Sequence, residues 1–107
     1  MAGVSRLDGA FAALADPTRR EILHRLGGQP QPAGALSRGF RMSQPAVSRH
    51  LRVLREVSLV EVEDRGRQRI YRLSKRGIDD VRDYVEEVNK TWQTALASFK
   101  RYAESKP

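Results

Sequence analysis

Apolar positions recur every three or four residues through the first third of the chain, and this spacing predicts two amphipathic helices. The first helix is indicated by one such series: Val4, Leu7, Phe11 and Leu14. The second begins at Asp16 and Pro17, because aspartate is a favoured N-cap and proline is tolerated in the first turn. Gly27 and Gly28 end this helix, and the proline-containing segment 29–32 is predicted to be a loop.

A short helix over residues 33–38, with Leu36 inward, and a turn over 39–42 precede the most informative segment. In that segment, residues 43–57, the apolar residues fall on one side of a helix: Val47, Leu51 and Leu54. Ser43 is a suitable N-cap, and Ser48, Arg49 and Arg52 point away from the apolar side. A helix with this division of faces is typical of one that reads the major groove of DNA.

Two stretches of alternating residues follow, over 60–64 and 69–73, and a basic turn that contains Gly66 separates them. They predict a β-hairpin with a positively charged tip. The order of helices followed by a hairpin indicates a mainly α fold with a small β-hairpin, an α+β winged helix-turn-helix. The alternative is another small α+β domain with a solvated, arginine-rich loop.

The last helix is predicted over residues 77–102, with Ser74 as its cap. Its apolar positions advance in steps of three and four, a heptad pattern that extends over about 39 Å of helix: Ile78, Val81, Val85, Val88, Trp92, Ala95, Phe99 and Tyr102. A domain this small cannot cover so long a stripe, so we expect a homodimer through this helix. Leu7 and Phe11 are expected to join the interface. The alternative is a helix packed along its own domain.

The composition of the chain indicates a polyanionic partner and excludes sites that depend on cysteine. The chain of 107 residues has a net charge of +7, and residues 1–76 carry +8 while residues 77–107 carry −1. This distribution predicts a polyanion-binding body and a tail with a different task. There is no cysteine, which excludes thiolate sites. No apolar run or leader pattern indicates a membrane, so we expect one cytoplasmic domain over residues 1–107, with no membrane partner.

Candidate DNA contacts come from the reading helix and the hairpin. Gln44 can pair with adenine, and Arg49 or Arg52 can bind guanine through two hydrogen bonds. Phosphate contacts or further base contacts are expected from Ser43, Ser48 and His50, although His50 could instead be structural. Three hairpin arginines are expected to lie along the backbone or in the minor groove: Arg65, Arg67 and Arg69. No catalytic residues and no cofactor are predicted, so the chain is not expected to be an enzyme.

The segments Leu14–Leu23 and Met42–Arg55, together with the hairpin, resemble the arsenic-repressor (ArsR) family of bacterial winged-helix regulators. The resemblance covers roughly residues 8–102. It implies a homodimer that binds an operator of dyad symmetry and represses transcription, with release by a ligand as the usual family behaviour. The family commonly has glycine in the turn where this chain has Arg41, which would be mildly strained if its φ were positive.

Metal-sensing members of that family place thiolates in the short helix, at positions that resemble Pro32 and Gly34 here. A second family site uses aspartate and histidine on the last helix, which has no histidine in this chain. The tail around Trp92 resembles the metal-independent branch. We therefore expect a metal-independent repressor with double-stranded DNA and a second copy of itself as partners. Whether a small-molecule effector acts on it stays open.

Two alternatives remain. The first is a metal-responsive repressor with an unusual carboxylate site on the last helix: Asp79, Asp83, Glu86 and Glu87. These residues lie opposite the apolar stripe, where a solvated polar face is the simpler interpretation. The second alternative is an architectural DNA binder without sequence preference, for which basic charge alone would be sufficient.

Overall fold

A computed structural model describes residues 5–105, which form five helices and three strands. Two helices open this part of the chain: α1 (Arg6–Leu14) and α2 (Pro17–Gly28). The centre contains β1 (Gln31–Pro32), α3 (Ala33–Ser37) and the predicted reading helix α4 (Gln44–Glu56). The hairpin β2 (Val60–Arg65) and β3 (Gln68–Leu73) leads into α5 (Lys75–Ser105). The fold is the predicted winged helix-turn-helix. Val4, assigned to the first helix above, lies outside the described residues.

Side-chain hydrogen bonds fix the junction between the end of α1 and the start of α2. The Asp16 carboxylate accepts a hydrogen bond of 2.9 Å from the Arg19 backbone N–H, as predicted for the N-cap of α2. Two arginines of α2 donate back to the end of α1, Arg19 to the Ala13 carbonyl and Arg20 to the Leu14 carbonyl, both at 2.8 Å. They add side-chain donors to carbonyl groups of the last turn, where a continuing helix would have supplied backbone donors.

The sheet has three strands in the order β1-β3-β2, all antiparallel. Prediction of segment 29–32 as a loop was therefore wrong at its end, because Gln31 and Pro32 pair with Tyr71 and Ile70. Proline is accepted there because β1 is an edge strand. In the hairpin, Arg65 pairs with Gln68, and Gly66 in the two-residue turn has a φ of 62°. That conformation explains the glycine.

The core lies where α4 crosses the other helices and the sheet. Its fully buried large side chains come from three helices and the loop before β2 and include all three predicted inner residues of α4: Ile22, Leu36, Val47, Leu51, Leu54 and Leu59. Burial of such aliphatic side chains contributes about 1.5–3 kcal/mol each. The apolar stripe of α4 therefore anchors this helix, and its opposite face is left for solvent.

The backbone conformation at the end of α4 was not predicted from the sequence. Ser58 donates its backbone N–H to Arg55, and Leu59 donates to Leu54, which together form a Schellman motif. Ser58 occupies the left-handed position of this motif with a φ of 64°. Ser58 is the one non-glycine residue with positive φ among the described residues, so Arg41 does not have the positive φ that would strain it. The unfavourable backbone position therefore lies in the turn that follows α4, and not in the loop that precedes it.

Replacement of Ser58 by glycine is expected to stabilise the fold by about 1 kcal/mol, because glycine adopts positive φ without a Cβ penalty. Urea denaturation followed by circular dichroism, at one protein concentration, measures the change. Ser58→Ala is the matched control, since it removes the same hydroxyl but keeps Cβ, and it should give no gain. Equal stability of Ser58→Gly and Ser58→Ala would contradict the strain assigned here.

Helix α5 is longer than the predicted 77–102, and most of it leaves the body of the chain. One side of its first two turns is covered, with Gly77 buried and Ile78 and Val81 packed against the core. The rest extends into solvent, which gives the molecule its elongated dimensions of 70 × 34 × 22 Å. No helix within residues 5–105 combines the length and apolar character that crossing a membrane requires.

Candidate nucleic-acid interface

Helix α4 presents a polar face because its apolar stripe is used in the core. Ser43 is the N-cap, and its hydroxyl accepts a hydrogen bond of 3.3 Å from the Ala46 backbone N–H. Pro45 lies in the first turn, where its missing N–H costs nothing. Arg49 is exposed and lies nearly opposite the core side of the helix. The helix is thus built from local signals that leave its arginines accessible.

A cleft of about 520 Å³ lies between α4, the start of α3 and strand β3. Two elements that are distant in sequence, the reading helix and the hairpin, form its opposite walls. Among the described residues, five arginines and no acidic residue line it: Arg38, Arg52, Arg55, Arg67 and Arg69. Such a concentration of one charge in a concave surface attracts polyanions, and guanidinium groups can donate two hydrogen bonds to a phosphate.

The structure brings five of the nine predicted DNA-binding residues together in this cleft: Gln44, Ser48, Arg52, Arg67 and Arg69. The other four are Ser43, Arg49, His50 and Arg65, which do not line it. Ser43, Arg49 and Arg65 are exposed beside it. Five of the predicted residues therefore line a recessed surface, three are exposed outside the cleft, and His50 is partly buried.

Ion pairs across the hairpin leave its tip available. Arg72 contacts Glu61 at 3.2 Å and Glu63 at 2.7 Å, and these contacts, together with Arg65, hold the pKa of Glu63 below its usual range. Arg69 pairs with Asp64 at 3.2 Å, and Arg65 pairs with Glu63 at 3.1 Å. Exposed pairs of this kind contribute little stability, about 0–1 kcal/mol. Within the described part of the chain, Arg67 makes no ion pair.

His50 belongs to a contact between α4 and α2 and lies outside the cleft. Its Nδ1 atom accepts a hydrogen bond from the Arg19 guanidinium at 3.3 Å and lies 3.9 Å from the Asp16 carboxylate. The backbone N–H of Arg19 lowers the pKa of Asp16, with added attraction from the Arg19 guanidinium. This placement favours the structural role over the phosphate contact, because Nδ1 is directed at α2.

Arg25 is a positioning residue that the sequence analysis missed. Its guanidinium donates to Glu21 at 3.0 Å, to the Leu36 carbonyl at 3.3 Å and to the Gly39 carbonyl at 3.2 Å. It also lies 4.1 Å from the centre of the Phe40 ring. These contacts connect α2 to the turn before α4 and so set the angle at which the reading helix leaves the turn.

Three cleft residues were not predicted: Arg38, Arg55 and Gln68. For Arg55 the sequence left two interpretations open, a phosphate contact and a solvated side chain or a pair with Glu56. The signal for the contact is spacing: Gln44, Ser48, Arg52 and Arg55 are separated by four, four and three residues and therefore share one side of a helix. Arg38 could not be predicted, since it reaches the cleft through the packing of α3. Gln68 follows the hairpin turn directly, at the first position of β3.

The predicted dimer residues divide into two groups. Leu7, Ile78, Val81 and Val88 are half-buried, and the contacts of Ile78 and Val81 are with their own core. Phe11, Val85, Trp92 and Phe99 are exposed, with 62% of Trp92 and 68% of Phe99 accessible. Phe11 contacts Tyr84 edge-on at 5.5 Å, which joins α1 to the same face. A continuous aromatic surface therefore remains uncovered along α5.

Three of the four candidate carboxylates on the opposite side of α5, Asp79, Asp83 and Glu86, contact cations. Asp79 contacts Lys75 at 2.6 Å, and this contact lowers the pKa of Asp79. Arg82 lies between three carboxylates, at 3.4 Å from Asp79, 3.6 Å from Asp83 and 3.9 Å from Glu86. Residues 5–105 contain no group of three or more histidine, cysteine or acidic side chains arranged to hold a metal ion.

Comparison with known sequences identifies relatives that match from about two thirds to nine tenths of the chain. A family model described as a helix-turn-helix domain matches residues 14–63. The chain is 38% identical to the HTH-type transcriptional regulator Rv2034 of Mycobacterium tuberculosis, over 92% of this chain and 89% of the relative. It is 32% identical to the transcriptional repressor SdpR of Bacillus subtilis, over 69% and 82% of the two chains.

Solved structures that resemble this chain are also described as transcriptional regulators. An ArsR-like transcriptional regulator from Rhodococcus sp. RHA1 matches with a TM-score of 0.77 and 36% identity, over 94% of this chain and 95% of the other. The solution structure of Mb0332 from Mycobacterium bovis, described as a homodimeric winged helix-turn-helix DNA-binding domain, matches with a TM-score of 0.65 and 25% identity. That match covers 90% and 94% of the two chains.

Proposed function

The chain belongs to the ArsR family of winged-helix transcriptional regulators. We propose that it is a homodimeric, sequence-specific repressor that does not respond to metals. The observation that carries the proposal is the arginine-lined cleft between α4 and the hairpin. It supports DNA binding because it combines cationic side chains with Gln44 and Ser48, which can form hydrogen bonds with base edges.

Affinity and specificity are assigned to different parts of this surface. Arg38, Arg55 and Arg69 are proposed to neutralise phosphates at the walls of the cleft, with Arg65 beside them. Gln44, Arg49 and Arg52 are proposed to contact bases, because they lie on the exposed sides of α4. Arg67, at the tip of the hairpin and without an ion pair among the described residues, is proposed to reach the backbone or an adjacent minor groove.

The aromatic surface of α5 and α1 supports the homodimer. Monomeric proteins seldom expose a contiguous apolar surface of this extent, and a second copy would cover it. Similarity to a protein described as homodimeric supports the same assembly here. Two reading helices in such a dimer would address half-sites about 34–36 Å apart, which is one turn of DNA. Repression follows from this proposal by analogy with the repressor SdpR.

Metal independence is supported by the chemistry of the available ligands. Pro32 and Gly34 offer no side-chain donors, and the chain has no cysteine. Its two histidines are separated, with His50 held against α2 and His24 exposed on the same helix. The competing carboxylate site would have to displace Lys75 and Arg82 from their ion pairs. Operator titrations with added zinc, and then with a chelator, distinguish the two proposals, since a metal-responsive repressor would change affinity.

The remaining alternative is a sequence-tolerant architectural binder. Selection of bound sequences from random DNA at two salt concentrations separates it from a repressor. An enriched dyad with half-sites one helical turn apart supports the proposed function. A library without enrichment, with affinity that falls steeply as salt rises, contradicts sequence-specific regulation and favours backbone binding.

Replacement of Arg49 by alanine is expected to weaken operator binding by about 10–100-fold, because one bidentate arginine–guanine contact contributes roughly 1–3 kcal/mol of discrimination. Fluorescence anisotropy with the selected operator measures the change, and sedimentation velocity should still show the dimer. Lys90→Ala removes the same charge from the polar side of α5 and should stay within twofold of the original protein. An Arg49→Ala affinity within that same twofold range would exclude Arg49 as a base-reading residue.

A further inference from the structure

A second cleft, of about 330 Å³, lies beside the end of the reading helix. Its walls come from the start of β2, with Val60 and Glu61, and from three other parts of the chain that carry a positive charge or a hydroxyl group. Arg6 belongs to α1, Arg55 and Ser58 to the end of α4, and Ser74 and Arg76 to the start of α5. The cleft therefore joins both proposed dimer helices to the proposed DNA-reading helix.

The charges around this cleft are only partly compensated. Arg6 lies 3.9 Å from Asp80, and Glu61, which also lines the cleft, is engaged by Arg72 at 3.2 Å. Within residues 5–105, Arg55 and Arg76 make no ion pair. Two uncompensated guanidinium groups beside hydroxyl groups form an environment that attracts phosphate or carboxylate groups, because charged hydrogen bonds to such groups are stronger than neutral ones.

Helix stability does not explain the position of Arg76. It lies in the first turn of α5, next to Lys75, and this turn contains no acidic residue. Cations near a helix N-terminus oppose the helix dipole and reduce stability by about 0.3–1 kcal/mol each. Lys75 is compensated by its contact with Asp79 at 2.6 Å, whereas Arg76 is directed to the cleft.

We propose that this second cleft binds the phosphate or carboxylate group of a small diffusible ligand, and that the bound anion weakens DNA binding by engaging Arg55. Arg55 lines both the second cleft and the DNA cleft, so one guanidinium serves two sites. An anion that holds Arg55 removes it from a DNA phosphate, and linkage then requires DNA to weaken anion binding by the same factor. This coupling rests on the proposed DNA-binding function, whereas anion binding itself does not.

The anion site is tested first without DNA, by thermal unfolding of the full chain in sodium phosphate and in sodium chloride of equal ionic strength. Phosphate is expected to raise the Tm of the original protein by about 4 °C or more, as a ligand of the folded state does. Arg76→Ala should lose this rise. Lys75→Ala is the matched control, because it removes a neighbouring charge that is 88% exposed and does not line the cleft, and it should keep the rise. An equal response in Arg76→Ala and the original protein would overturn the site.

The coupling is tested by operator titrations at constant ionic strength. Replacement of chloride by phosphate is expected to weaken DNA binding by at least about fivefold in the original protein and not in Arg76→Ala. A different result identifies DNA itself as the occupant: no thermal response to phosphate, together with weaker DNA binding and a lower salt dependence in Arg76→Ala. That result would overturn the proposed anion site but would leave the proposed DNA-binding function standing. Failure of the anion site and failure of the proposed function can therefore be told apart.

Discussion

Replacement of Gly77 by alanine is expected to destabilise the fold by about 3 kcal/mol, the upper part of the range for overpacked interiors. A Cβ atom at Gly77 would overlap the backbone carbonyl oxygen of Ser58 and would also contact the Leu59 Cα at 3.4 Å. Neither atom can rotate away as a side chain could. Ser58 is fixed by the Schellman motif, and Leu59 is fixed by hydrogen bonds with Leu54 and Ser74, both 2.9 Å.

Urea denaturation at fixed protein concentration measures this loss. The matched control is Gly28→Ala, also within a helix, because a Cβ at Gly28 would meet nothing within 4 Å. That substitution should be neutral or stabilising by up to about 1 kcal/mol, as expected when alanine replaces glycine in a helix. If Gly77→Ala were as stable as Gly28→Ala, the first turn of α5 could not lie against the end of the reading helix.

Replacement of Trp92 by aspartate is expected to dissociate the proposed dimer and thereby weaken operator binding by about 100-fold or more, because two linked half-site contacts gain 10²–10⁴ in avidity. Trp92 is 62% exposed in one chain and lies between Val88 and Phe99 on the aromatic face. A buried carboxylate without a partner would be costly at that position. The body of the chain should keep its stability, since Trp92 does not belong to its core.

Sedimentation velocity and operator titration of the same sample test this chain of effects. Gln93→Asp introduces the same charge one residue away, on the polar side of α5, and should remain dimeric with nearly unchanged affinity. A Trp92→Asp protein that sediments as an intact dimer would show that the aromatic face is not the interface. Loss of the dimer with full operator affinity would instead show that one chain is sufficient for binding.

These two substitutions test the two ends of α5, which links the proposed dimer interface to the end of the reading helix. The exposed part of α5 carries the proposed interface, and its first turn is pressed against Ser58 at the end of α4. Because the contact is between backbone atoms, α5 and the reading helix should move together. The second cleft is located at this junction and includes Arg55 and Arg76. A ligand bound there would act where the two helices meet.

Much of the candidate site could be predicted because its signals are local. The outward position of Arg52 follows from helical spacing relative to Leu51 and Leu54, and Ser43 is a cap by residue type. That Arg67 and Arg52 line the same cleft could not be predicted. It depends on how the hairpin packs beside α4, over a separation of fifteen residues. The placement of His50 against Arg19 depends likewise on the crossing of α2 and α4.

The helices, the hairpin and the long apolar face of α5 could all be derived from residue order, because caps, glycine turns and hydrophobic periodicity act within a few residues. Tertiary structure alone decided the rest. Strand β1 exists because Gln31 and Pro32 meet β3, a backbone pairing that no side-chain pattern marks. Positive φ falls on Ser58, and not on Arg41, because the Schellman motif must turn the chain toward β2. Gly77 is required because distant backbone segments approach there more closely than a Cβ atom would allow.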